Sequence, residues 1–128
     1  MRSLARECVF KFIFSQLFNP SDEGLFDVLC KELNKEDKEF ASELMSAVKV
    51  NEEKYLAKIE NLSIGYNINR LHRADKCALL IGMAELDCFK QTPVAVAINE
   101  AVSLVAKYST ENSTNFVNGI LAEFIKEI

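Results

Sequence analysis

The segment TPVAVAINEAVSLVAKYSTENSTNFVNGILAEFIKEI, residues 92–128, decides the fold. Thr92-Pro93 reads as a helix start, because a threonine oxygen can accept from an orphan backbone N–H and proline at the first helical position lacks a donor that would go unused. Apolar residues recur at Ile98, Ala101, Val102 and Val105, a helical spacing too long for a strand, and predict a helix to about Tyr108. Residues 109–113 are polar, and Asn112 or Ser113 is expected to cap a second helix. That helix carries Phe116, Val117, Ile120, Leu121, Phe124, Ile125 and Ile128, a stripe wide enough to face a core. Asn118-Gly119 between hydrophobic residues is also the strongest short hairpin signal. The apolar spacing nevertheless stays helical through it, so Gly119 is expected to allow a close helix crossing, at about 1 kcal/mol relative to alanine.

Working outward, the least polar stretch lies just upstream, from about Arg73 through Cys77-Ala-Leu-Leu-Ile-Gly-Met-Ala84. A helix apolar nearly all round belongs at the centre of a domain, and this one is too short to span a membrane. Asp75 falls in its first turn, where a negative charge suits the helix dipole, and Gly82 is expected to admit a close neighbour. At the other end of the chain, residues 2–18 form an amphipathic helix, stopped by Asn19-Pro20. A second helix is predicted over about residues 23–33, and a third, capped by Asn34 with Asp37, to about Val50. Asn51 is expected to cap a fourth with Tyr55, Leu56, Ile59 and Leu62 inward, ending at Gly65, and residues 68–71 to form one short turn. The sum is one all-α domain over residues 1–128, a compact bundle of about seven helices.

Composition narrows the function. The chain has 128 residues, 49% of them hydrophobic, with four Gly and two Pro, enough for a real core and too few turn formers for an all-β fold. Cys8, Cys30, Cys77 and Cys88 lack metal-ligand spacing and sit in apolar stretches, so they read as reduced core residues. His72 is the only histidine, which leaves little for a metal site or a histidine-assisted nucleophile. No catalytic residue, metal or cofactor is therefore predicted. Without a signal-like or spanning segment the simplest location is the cytosol. Net charge is −4, yet up to Asn19 the charges are Arg2, Arg6 and Lys11 against Glu7 alone, so the first helix is locally basic.

Three stretches occur together: Ala5-Arg6-Glu7-Cys8, the run from Thr92-Pro93-Val94 to Asn99-Glu100-Ala101, and Ser113-Thr114-Asn115-Phe116-Val117-Asn118-Gly119-Ile120-Leu121. In order and spacing the chain resembles the NusB family of bacterial transcription antitermination factors, over nearly its whole length, with residues 21–69 matching mainly in helical pattern. The resemblance implies an all-helical fold of two small sub-bundles and no enzymatic activity. It implies a ribosomal-protein partner, NusE, and a single-stranded boxA element of ribosomal RNA leaders. It also implies membership of an RNA polymerase elongation complex with other Nus factors, and homodimers in some members.

Residue by residue, the resemblance implies RNA contacts at Arg2, Arg6, Lys11, Phe14, Asn112 and Phe116, and a NusE-facing acid at Asp75. Ser3 and Leu4 stand where relatives often have arginine, Phe14 where tyrosine is common, and Asn112 where aspartate is frequent. From the residues alone, Phe14 and Phe116 would be read as core, and Asn99, Glu100 and Asn118 as buried hydrogen-bonding groups. Two other readings stay open at this point. One is the RNA-binding domain that precedes ribosomal RNA cytosine methyltransferases, which a longer reading frame would reveal. The other is a homodimeric structural protein, which sedimentation with and without RNA would separate.

Overall fold

The computed structural model describes residues 2–17, 24–63 and 71–128, and among these it contains six α-helices and no strand. They are α1 (Arg2–Gln16), α2 (Leu25–Leu29), α3 (Lys35–Leu62), α4 (Arg73–Cys88), α5 (Val94–Tyr108) and α6 (Glu111–Glu127). The apolar run becomes α4, buried at Ala74, Asp75 and every position from Cys77 to Leu86. It packs against α1, α3, α5 and α6, which puts it at the centre, as a helix without a polar face must be. Cys77 lies within this core, and burial pushes its thiol up to about 12.

Six helices rather than seven follow from α3, which runs unbroken for 28 residues through the expected cap at Asn51. Instead of capping, the Asn51 side chain donates to the Ala47 carbonyl one turn back, at 2.9 Å. With no Gly or Pro between Lys35 and Leu62, nothing interrupts the ladder, and Phe40, Leu44, Val48, Tyr55 and Ile59 bury one continuous stripe. Tyr55 fastens this helix to its neighbours: its hydroxyl donates to Asp87 Oδ2 at 2.8 Å, and its ring meets Phe124 of α6 edge-on at 6.0 Å. The expected stop at Gly65 and most of the 68–71 turn lie outside the described residues. Among the described residues of the second expected helix, Leu25–Leu29 is helical and turns continue to Leu33.

The helix starts also differ in detail. Asn34 caps α3 as expected, accepting from the Asp37 N–H at 2.8 Å. For α5, Thr92 lies one residue too early: its N–H closes a turn onto Phe89 O, and extended Pro93 is the cap, its carbonyl accepting from Val96 and Ala97. The α6 cap is Thr110 rather than Asn112 or Ser113, with Oγ1 accepting from Ser113 N at 3.3 Å.

Gly82 and Gly119 behave oppositely. A Cβ at Gly82 would meet Leu121 Cδ1 at 2.7 Å and Ala101 Cβ at 3.2 Å, so α4 needs glycine there to touch α5 and α6. Around Gly119 nothing lies within 4 Å, which corrects the expected helix crossing: this glycine faces outward. Gly82→Ala is expected to lower stability by about 1 kcal/mol, overpacking outweighing the gain in helix propensity, whereas Gly119→Ala is expected to raise it by up to about 1 kcal/mol. Urea melts of the two variants check the opposite signs.

Candidate nucleic-acid interface

On α1, residues nine apart are half a turn out of phase, so Arg2 and Lys11 point to opposite sides of the helix. Arg2 lies towards α3, its guanidinium 4.5 Å from the Phe40 ring centroid. Lys11 lies towards the end of α5, where Glu7 gathers three donors. Glu7 Oε1 accepts from Lys107 Nζ at 2.7 Å and from the Tyr108 hydroxyl, with Lys11 Nζ at 3.8 Å. Those bonds, Lys107 first and Tyr108 second, hold the Glu7 carboxyl below its ordinary value.

Beside this hub three rings form a series. Phe10 stacks on Tyr108 at 5.0 Å and 21°, and on Phe14 at 6.2 Å and 17°. Phe10 is buried and Phe14 half-buried, while Tyr108 is 37% exposed with Lys107 Nζ 5.3 Å from its ring. The result is an aromatic surface edged by Lys11 and Lys107. Tyr108 leads through Ser109 and Thr110 into α6, where Asn112 is exposed and Phe116 half-buried, both within the first two turns.

Arg6 stands apart from that surface. It is only 4% exposed, and its fork is engaged inside: Nε donates to Glu85 Oε1 at 2.7 Å, Nη2 to Glu85 Oε2 at 2.5 Å, and Nη1 lies 3.3 Å from Glu100 Oε1. Ser3 Oγ adds a 2.6 Å bond to the same Glu100 oxygen. Arg6, expected as an RNA contact, is therefore placed in the interior with its guanidinium taken up by two carboxylates. Glu85 is 1% exposed and sits on the central helix, where its charge is tolerable only because Arg6 neutralises it.

Asp75, expected as a NusE-facing acid in the first turn of α4, is also enclosed, at 3% exposure. Its Oδ2 accepts from Ser113 Oγ at 2.8 Å, which links the first turn of α4 to that of α6, and Oδ1 has no hydrogen-bond partner. The side chain thus has a structural task at the start of α6, whatever else approaches it. Among the described residues no group of three or more His, Cys, Asp or Glu side chains could hold a metal ion, and no helix is long and apolar enough to cross a membrane.

Residues 3–126 match the NusB family. The transcription antitermination protein NusB of Methylacidiphilum infernorum is 34% identical over 98% of this chain and 91% of its own length, and that of Natranaerobius thermophilus 33% over 99% and 96%. The chain belongs to the NusB family. Among solved structures, T. maritima NusB superposes with a TM-score of 0.92 at 31% identity, covering 99% of this chain and 92% of that one. A crystal structure of the antitermination factors NusB and NusE in complex with dsRNA gives 0.87 at 29%, covering 99% and 97%.

For this NusB-family chain, sequence reasoning missed Lys107 and Tyr108. Their setting depends on Glu7, a hundred residues away in the chain, and no local pattern announces it. The Lys-Tyr pair closing an amphipathic helix was the one available hint.

Two outcomes are expected. Arg6→Ala strands Glu85 and should cost about 3–5 kcal/mol of unfolding free energy, whereas Arg6→Met with Glu85→Met should recover most of it; urea denaturation of the single and double variants measures both. For Glu7, a lowered carboxyl pKa stabilises the fold above the ordinary value of 4.5, and this is lost as pH falls through the lowered value. The stability difference between wild type and Glu7→Gln should therefore be full at neutral pH and shrink at acid pH, which melts across that range test.

Proposed function

We propose that this chain is a non-catalytic antitermination factor that binds boxA-type single-stranded RNA with the ribosomal protein NusE and acts in the cytoplasm on elongating RNA polymerase. One observation carries the RNA-binding part: the stacked Phe14, Phe10 and Tyr108 rings with Lys11 and Lys107 at their edge. Single-stranded RNA offers unpaired bases to aromatic faces and phosphates to lysines, and this surface supplies both. Support comes from the relatives named transcription antitermination proteins and from the NusB–NusE–dsRNA structure, whose NusB fold this chain shares.

In this reading Lys11 and Lys107 meet phosphates, Phe14, Tyr108 and Phe116 present rings, and Asn112 reads or positions a base, while Arg2, expected as an RNA contact, faces the other side of α1 over Phe40. Arg6 contributes by holding α1 in place through Glu85 and Glu100. Asp75 contributes to NusE binding indirectly, by fixing the first turn of α6 through Ser113.

The test is a titration of fluorescent boxA-type RNA, single-stranded and as a duplex, with and without NusE. The single strand is expected to bind better, and NusE to tighten it. Tyr108→Ala is expected to cost about 1–3 kcal/mol of RNA binding. Lys11→Ala and Lys107→Ala should each reduce the slope of log K against log salt by about 0.7, at every RNA sequence. Unchanged slopes and affinity in folded variants would remove this surface from RNA binding.

A further inference from the structure

Glu7 is the one acid in α1, and it stands in the middle of the surface that Lys11, Lys107 and Tyr108 edge. Its Oε1 atom accepts from Lys107 Nζ at 2.7 Å and from the Tyr108 hydroxyl, with Lys11 Nζ at 3.8 Å. Donors converging on one anionic oxygen are also how a protein holds a phosphate, and carboxylate and phosphate share that chemistry. The bond to Glu7 raises the Lys107 ammonium above its ordinary value, and burial, then Glu7, raises the Tyr108 hydroxyl. The one therefore stays a cation and the other a donor, both committed to an internal anion.

Lys11 and Lys107 are 49% and 60% exposed, open to a polyanion, whereas Glu7 is 18% exposed between them. One of their two positive charges is thus cancelled on the spot. The carboxylate can give way only by turning its own side chain. Arg6, the preceding residue, is gripped by Glu85 and Glu100, so the backbone of α1 at Glu7 cannot draw back. On the other side the Tyr108 ring is held by stacking on Phe10. A strand that brings a phosphate to Lys107 meets a carboxylate already in place.

We infer that Glu7 sets the affinity of this surface for RNA: its carboxylate occupies the place of a phosphate between Lys107, Tyr108 and Lys11, and a strand binds by displacing it. This assignment rests on the RNA-binding reading of the surface and adds to it the residue that restrains it. Because exposed ion pairs are weak, the displacement costs a modest factor, about threefold to fivefold in affinity. The factor applies to any strand, so phosphate contacts alone are discouraged and stacked bases must supply the remainder.

The experiment titrates the full chain into fluorescent boxA-type RNA and into an oligouridylate of equal length, at low and high salt, with affinities expressed per folded molecule from urea melts. Glu7→Gln keeps the size and one acceptor oxygen but removes the charge. It should tighten both RNAs about threefold to fivefold at low salt, and less at high salt, where exposed charges are screened. Glu53→Gln makes the same change in net charge elsewhere. Glu53 is exposed on α3 beside Lys54, which pairs with Asp87 at the last turn of α4, near where α5 begins rather than where it ends. Its gain should be much smaller. With Lys11→Ala and Lys107→Ala in place, Glu7→Gln should bring little gain, since no cation is left to release.

Equal gains from Glu7→Gln and Glu53→Gln, or a gain that persists without the two lysines, would reduce the effect to bulk charge and overturn the proposal. Unchanged or weaker binding by Glu7→Gln, with Lys107→Ala still costing affinity, would overturn it alone and leave the RNA surface standing. Unchanged affinity in Lys11→Ala, Lys107→Ala and Tyr108→Ala would remove both.

Discussion

One guanidinium decides how the first helix sits. Arg6 reaches into the bundle and is gripped by Glu85 from the central helix and Glu100 from α5, three elements fixed at one point. Apolar packing of Val9, Phe12 and Ile13 against the core is forgiving in direction, since hydrophobic contact tolerates sliding and rotation. A bidentate fork is not forgiving, because its two hydrogen bonds fix orientation as well as distance. The ion pair therefore sets the rotation of α1, and with it which residues face α3 and which face the end of α5. Every surface on α1 inherits its direction from that choice.

The division of labour along α1 follows. One side lends Lys11 and Phe14 to a cationic, aromatic surface completed by Lys107 and Tyr108. The opposite side turns Arg2 towards α3, over the buried Phe40 ring. A helix of 15 residues thus presents different side chains in two directions without any moving part. Glu7 keeps the first surface in order by holding its donors where they would otherwise sample solvent.

Much of this was legible in the sequence, for identifiable reasons. The all-helical class, the buried α4 and the paired α5 and α6 follow from spacing and polarity, which are local properties. The continuity of α3 was not legible, because an asparagine between two amphipathic runs looks the same whether it caps a helix or bonds back to Ala47 within one. Counting charge found the basic helix but could not distinguish Arg6, turned inward, from Lys11, turned outward. That distinction rests on Glu85 and Glu100, about eighty and ninety-five residues downstream. The bond from Ser113 to Asp75 was not legible for the same reason, since Ser113 belongs to another helix. Glycine was ambiguous in the same way: Gly82 and Gly119 both interrupt apolar helices, and only the neighbours tell a contact from an open face.

The unbroken α3 has a mechanical consequence. At 1.5 Å per residue its 28 residues form a strut of about 42 Å, longer than the other helices and without a glycine or proline to serve as a hinge. Its leading turns lie beside the start of α1, where Arg2 covers Phe40, while Tyr55 and Ile59, about five turns on, are clamped in the core beside α4 and α6. Such a rod tilts more readily than it bends, so a load on one end is carried as leverage to the other. The turns beneath Arg2 and the packed interior are in this sense two ends of one beam, with the hydrogen-bonded clamp of Tyr55 as its anchorage.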